Sequence, residues 1–158
     1  HTKELYVPIT TEDNDMTDRY KAWRFDGERF AYQGERPNRH LHSSLSQYDR
    51  LLQYITTKDY IVRVDLLANG ELRYSSWSKH GTTDDCPDIV LTGGKKVHYE
   101  VASNQLPPCD EYHFKNGSYQ YIVNHCEVGR DKNGDGVHHD YLMVMSEGKV
   151  LFKQEIEK

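Results

Sequence analysis

The segment Asp131-Lys132-Asn133-Gly134-Asp135-Gly136-Val137 places three short, oxygen-bearing side chains at alternate positions ahead of a glycine. A tight turn can aim such oxygens at one point, and several hard oxygens at one point suit a hard cation. The candidate ligands are the side chains of Asp131, Asn133 and Asp135, the carbonyl of Val137 and, to complete the shell, Asp140; the candidate cofactor is Ca2+. Gly, Asn and Asp also serve a plain turn, because they tolerate positive φ with no ion involved. An ion bound here would staple a loop between strands rather than act as a signal.

A second chemistry sits alongside. His125, His138 and His139 are close in sequence, with Cys126 adjacent. Imidazole and thiolate suit a transition metal. Neighbouring residues on extended chain point opposite ways, so at most one of His138 and His139 can join His125. His40 and His42 could share a strand face. No serine lies in a G-x-S-x-G elbow, and Ser75, Ser76 and Ser78 around Trp77 read as a strand end. No catalytic residue is assigned, because paired carboxylates declare themselves only by geometry. Tyr74, Tyr112, Tyr119, Tyr121 and Trp77 would make either core or a platform for a sugar or protein; Trp23 and Trp77 are the candidate binding residues.

The three cysteines, Cys86, Cys109 and Cys126, allow one disulfide and a spare thiol. There is no CxxC, so neither a zinc ribbon nor a thioredoxin-type motif is supported. If Asn116-Gly117 is a two-residue turn, Cys109 opposes Asn124 and is only diagonal to Cys126. Diagonal neighbours are too far apart for a relaxed bridge. That register favours Cys86–Cys109.

The elements that must position these groups are mostly hairpins. In Tyr60–Leu66, residues Tyr60, Val62, Val64 and Leu66 share a face. A three-residue loop, Ala68-Asn69-Gly70, sets Leu66 against Leu72, Val64 against Tyr74 and Val62 against Ser76; a two-residue Asn69-Gly70 turn would flip every side chain. At Asn116-Gly117 a two-residue turn sets Phe114 against Tyr119 and Tyr112 against Tyr121. A turn at Ser146-Glu147-Gly148 sets Val144 against Val150 and Leu142 against Phe152, with both faces apolar, as in a central hairpin. Ile89–Leu91 and Val97–Val101 add strands around Gly93-Gly94. Trp23–Tyr32 reads as two strands about an Asp26-Gly27 turn, and residues 34–42 as a loop. Leu45, Tyr48, Leu52 and Ile55 recur at helical spacing behind a Ser44/Gln47 capping box, which predicts a helix over about 45–55.

The expected fold is therefore a single mainly β domain over 1–158, an antiparallel sandwich or squat barrel of short hairpins with one α-helix. Residues 1–20 supply an edge strand and an acidic loop, and 59–156 the hairpin core. The apolar share is only 36%, twelve tyrosines included, and a tyrosine ring fits a half-buried pleated surface. The net charge is −5 with basic residues scattered, which argues against nucleic acid and polybasic membrane contact. No run reaches the roughly 20 apolar residues of a membrane span. The chain opens at His1 rather than a methionine and shows no signal-peptide pattern, so a mature form or a trimmed chain is expected.

Two resemblances add to this. Residues 131–137 resemble the first half of D-x-[DN]-x-D-G calcium loops, but the twelfth position is Leu142 where an EF-hand needs glutamate, and the flanks read as strands. Calcium loops between strands, as in FG-GAP repeats, bring an aspartate three residues after the glycine; here that place is His139, and Asp140 follows. The stretches Tyr60–Val64, Asn69–Trp77, Pro87–Leu91 and Phe114–Tyr121 are similar to uncharacterised secreted proteins of gut Gram-negative bacteria, over residues 58–155. That resemblance implies an exported β-rich domain in which a disulfide is chemically possible. The resulting expectation is a secreted or periplasmic module that binds a protein or glycan, with a hydrolase using a carboxylate or histidine site in a cleft as the alternative. A flat aromatic patch would favour binding, and convergent Asp, Glu and His in a pocket would favour the enzyme.

Overall fold

The computed structural model describes residues 3–10, 16–37, 40–99, 109–130, 132–134 and 136–156. Strands β1 (Glu4–Thr10), β2 (Met16–Phe25) and β3 (Phe30–Pro37) form a three-stranded antiparallel sheet. Strands β4 (Arg50–Thr56), β5 (Tyr60–Leu66), β6 (Leu72–Ser78) and β7 (Ile89–Thr92) form a second sheet in sequential order. The remaining strands, β8 (Lys95–Tyr99), β9 (Cys109–Asn116), β10 (Tyr119–Arg130), β11 (Gly136–His138), β12 (Tyr141–Ser146) and β13 (Lys149–Glu155), make the largest sheet. Its order is β13-β12-β10-β9-β8, with β11 paired to the far end of β10. No helix among the described residues is long and apolar enough to cross a membrane.

The second and third sheets pack face to face as an antiparallel sandwich, without closing into a barrel. Alternation along β5 and β6 turns Val62, Val64, Leu72 and Tyr74 inward, where they meet Tyr112, Phe114, Val123 and Leu142 of the larger sheet. Gly93 and Gly94 do not turn a hairpin: β7 pairs with β6 and β8 with β9, so the chain crosses between layers there. Position 94 must be glycine, because a Cβ would lie 2.3 Å from the Phe114 ring. Polar ties also join the layers. Thr57 donates to Gln154 Oε1 at 2.9 Å, and Gln53 Nε2 donates to Asp140 Oδ2 at 2.9 Å.

The other face of β5 and β6 is the unexpected part. It carries Arg63, Asp65, Arg73, Ser75 and Trp77, all buried. Arg63 Nε donates to Asp65 Oδ1 at 2.7 Å, and Arg73 donates to Asp65 Oδ2 through its terminal nitrogen at 2.7 Å and Nε at 3.3 Å. The spare donors of Arg73 reach the carbonyls of Leu45 (2.8 Å) and Gln47 (3.2 Å). The Tyr48 ring lies under the Arg63 guanidinium at 4.5 Å, and Arg19 of β2 donates to the Tyr48 carbonyl. Trp77 Nε1 donates to the Asp85 carbonyl at 2.9 Å, fixing the loop after β6 over the same face.

This network explains why the expected helix over 45–55 does not form. Ser43–Leu45 is a single 3-10 turn and Arg50–Thr56 is strand β4. Leu45 and Tyr48 are buried, but as lids on the Arg63–Asp65–Arg73 face rather than as one stripe of a helix. The carbonyls a helix would use internally are taken by Arg73 instead.

The hairpin registers separate by turn chemistry. Leu66↔Leu72, Val64↔Tyr74 and Val62↔Ser76 pair as the three-residue loop requires, with Gly70 at φ 83°. The expected Phe114–Tyr119 and Tyr112–Tyr121 pairs are corrected to Phe114↔Tyr121 and Tyr112↔Val123. The turn uses Gly117-Ser118 with positive φ at Gly117 alone, the form that wants glycine first. A two-residue slip keeps every side chain on its expected face while moving its partner. It also sets Cys109 opposite Cys126, and these two form the disulfide, with Cα atoms 4.3 Å apart; Cys86 is free and exposed. The expected Cys86–Cys109 bridge is thus overturned by the same slip. In the last hairpin the turn is Glu147-Gly148, both at positive φ, and a bulge beyond Met145↔Val150 sets Val144 against Phe152 and Leu142 against Gln154. That hairpin is not central, since β13 is an edge and Val150 and Leu151 are exposed. In the first sheet, β2 and β3 flank the Asp26-Gly27 turn as expected, but β3 runs on to Pro37 instead of becoming a loop at residue 34. The acidic run 12–15 lies outside the described residues.

Removing the carboxylate of Asp65 would leave two guanidinium groups buried against each other. Asp65→Ala is expected to cost about 3–5 kcal/mol of stability, the range for breaking a buried pair from one side, read as a lowered urea midpoint. Cys109→Ser or Cys126→Ser should cost about 3 kcal/mol, as for a loop of similar length. Cys86→Ser should stay within about 0.5 kcal/mol, as at other exposed sites, and only Cys86 should alkylate in the folded protein.

Candidate functional site

Two regions of the sandwich gather side chains that can meet a ligand, and β10 runs through both. The first is an open cavity of about 200 Å³ between the two packed sheets, near the β9–β10 turn. Leu142, Val144 and Tyr74 form its floor, Tyr60, Tyr121 and Phe152 its walls, and Tyr119 part of its rim. Tyr60 and Phe152 come from different sheets and stack at 5.7 Å with planes 16° apart. Tyr74 packs obliquely against Tyr121 at 5.4 Å and Phe114 at 5.5 Å. Burial pushes the Tyr74 phenol well above its ordinary range, so it stays neutral. The lining therefore offers aromatic side chains, four of them tyrosines, beside Ser76, Ile89 and Leu151.

The second region lies at the other end of β10. Registers across the sheet set His98 opposite Asp110 and Asp110 opposite His125. Asp140, just before β12, completes the row: its Oδ1 stands 2.9 Å from His125 Nδ1, and its Oδ2 accepts from Gln53. The Gln53 amide also stands 3.3 Å from His125 Nδ1. His138 of β11 stacks on His125 at 4.8 Å, with planes 16° apart. Adjacent His139 points away, with Nε2 2.9 Å from Glu155 Oε1, as alternation along the strand requires. Asp110 is occupied separately, by Lys96 at 2.8 Å and His98 at 2.6 Å. No family model, curated protein or solved structure matches the chain.

The sequence-derived site residues fall as follows. Asp131 and Asp135 lie outside the described residues. Asn133 is exposed in a turn, and Val137 pairs with Gly129 in β11. Asp140 is buried on Gln53 and His125, so among the described residues it belongs to the histidine pair. Trp77 is corrected: it is 1% exposed and cannot be a surface platform. Trp23 is half-buried on the three-stranded sheet, tilted against Tyr32 at 5.4 Å. Cys126 is in the disulfide and offers no thiolate. Sequence reasoning missed Gln53, which reaches in from the facing sheet.

A further polar cluster occupies the outer face of the large sheet. Glu111 accepts from Tyr99 at 3.2 Å and Tyr141 at 3.3 Å, and lies 2.7 Å from His113 Nε2. Burial, then the Glu111 charge, push the Tyr141 phenol up to about 12.

Burial alone would raise the Asp110 carboxyl, but hydrogen bonds from Lys96 and His98 outweigh it and hold it below the ordinary range. The same bond raises the Lys96 ammonium. A depressed carboxylate contributes stability above its unfolded value of about 4 and loses it as pH falls through the lower folded value. Wild type should therefore lose more stability than Asp110→Asn as pH falls below about 4, measured as urea midpoint against pH.

Proposed function

We propose that this chain is a secreted or periplasmic binding module whose tyrosine-lined mouth holds a ring of a glycan. The observation that carries the reading is the convergence of Tyr60, Tyr74, Tyr119, Tyr121 and Phe152 on one open cavity of about 200 Å³. A sugar ring has an apolar C–H face and a hydroxyl edge. Aromatic faces meet the first, and phenol hydroxyls meet the second. The Cys109–Cys126 disulfide supports an oxidising compartment.

The test is a glycan array probed with the intact, oxidised protein, followed by calorimetric titration of the retained sugar. Tyr60→Ala and Phe152→Ala, which break the stack, should each weaken binding at least tenfold, about 1.4 kcal/mol. Exposed Tyr119→Ala should weaken it without lowering the melting temperature. Absence of any retained glycan, or affinity indifferent to all three changes, would sink the reading.

A further inference from the structure

We infer that His125, His138 and Asp140 form a binding site for a borderline divalent transition metal of the Zn2+ class, with Gln53 positioning the carboxylate. One ligand atom from each of the three lies within 4.8 Å of the others. Bonds of about 2.0–2.1 Å in a tetrahedral zinc site put neighbouring ligands roughly 3.3 Å apart. His125 Nδ1 and Asp140 Oδ1 already stand 2.9 Å apart and need to open by only a few tenths of an ångström. His138 has further to come. It is exposed and its ring lies flat on His125, so rotation of that side chain is the movement required.

The supports are unequal, which favours a defined site over a chance cluster. Asp140 is 7% exposed, its Oδ2 is held by the Gln53 amide, and its Oδ1 faces His125 Nδ1, where an ion would come between the two. Hydrogen bonding of a ligating carboxylate from behind is the usual outer support of a metal site. Gln53 comes from β4 and the ligands from the opposite sheet, so the site also bridges the layers. Asp110 flanks His125 on the other strand but is committed to Lys96 and His98, so it does not join. Two imidazole nitrogens and one carboxylate oxygen select a borderline metal over Ca2+, which takes six to eight oxygens. With three protein ligands and His138 exposed, the fourth position faces solvent.

The test is calorimetric titration of the intact, disulfide-bonded protein with Zn2+ alone and, separately, with Ca2+ alone. One equivalent of Zn2+ should bind with no comparable Ca2+ signal. His138→Ala, at an exposed position, should lose the stoichiometric binding. Gln53→Ala should weaken it about 10–100-fold. In the unaltered protein, Zn2+ should move the ring resonances of His125 and His138 and leave those of His98 and His113 in place, a readout independent of whether any variant folds. Failure of the unaltered protein to bind one equivalent, unchanged binding in His138→Ala, or Zn2+ shifts spread over the other histidines instead would each overturn the site.

Discussion

Asp65 is wholly buried between two arginines, and the architecture hangs on that arrangement. A carboxylate removed from water is tolerated only when its oxygens are satisfied and its charge is met. Arg63 and Arg73 do both, and the Arg73 guanidinium has further donors to place. Arg73 spends its remainder on the carbonyls of Leu45 and Gln47, and Arg63 lays its flat face on Tyr48. Arg19 reaches the Tyr48 carbonyl from β2. One buried charge thus orders an irregular segment and ties the three-stranded sheet to the sandwich. The central strands β5 and β6 are consequently buried on both faces, apolar toward the partner sheet and ionic beneath the loops.

Strand β10 organises the other half. Its alternate residues Tyr121, Val123 and His125 face the sandwich interior in turn, running from the aromatic mouth through the core to the polar row. Roughly 20 Å of strand separates Tyr119 from His125, at about 3.4 Å per residue. The disulfide pins its partner β9 on the outer face. Tyr119 and Tyr121 at the cavity and His125 at the polar row are therefore placed by one strand.

The β class and most face assignments were legible because burial imposes a period of two that the residues obey. The Leu66↔Leu72 register followed from apolar matching alone. That register already put Asp65 opposite Arg73, but alternation marks charged residues as outward, so their burial was invisible without the covering loop. The helix over 45–55 failed because three- and four-residue spacing of Leu45, Tyr48, Leu52 and Ile55 also arises when a lid segment precedes a strand. The Cys109–Cys126 pair was lost to a two-residue slip, which face patterning cannot detect; Gly117 as the first turn residue was the missing signal. Opposed pointing of His138 and His139 was readable from the backbone, whereas Gln53 joining them required the two sheets to be brought together.

The three-stranded sheet exposes Leu5, Val7, Phe30 and Tyr32 and ends in two open strands. Such edges invite another chain to add itself. Pro8 sits in β1, where it lacks an N–H and is followed by a register break. On the opposite border, β3 carries Gly34 at φ 93° across from an irregularity in the β2 pairing, then Glu35, Arg36 and Pro37. Each border is spoiled as a template. The sheet can thus carry exposed apolar side chains without seeding fibrils of itself.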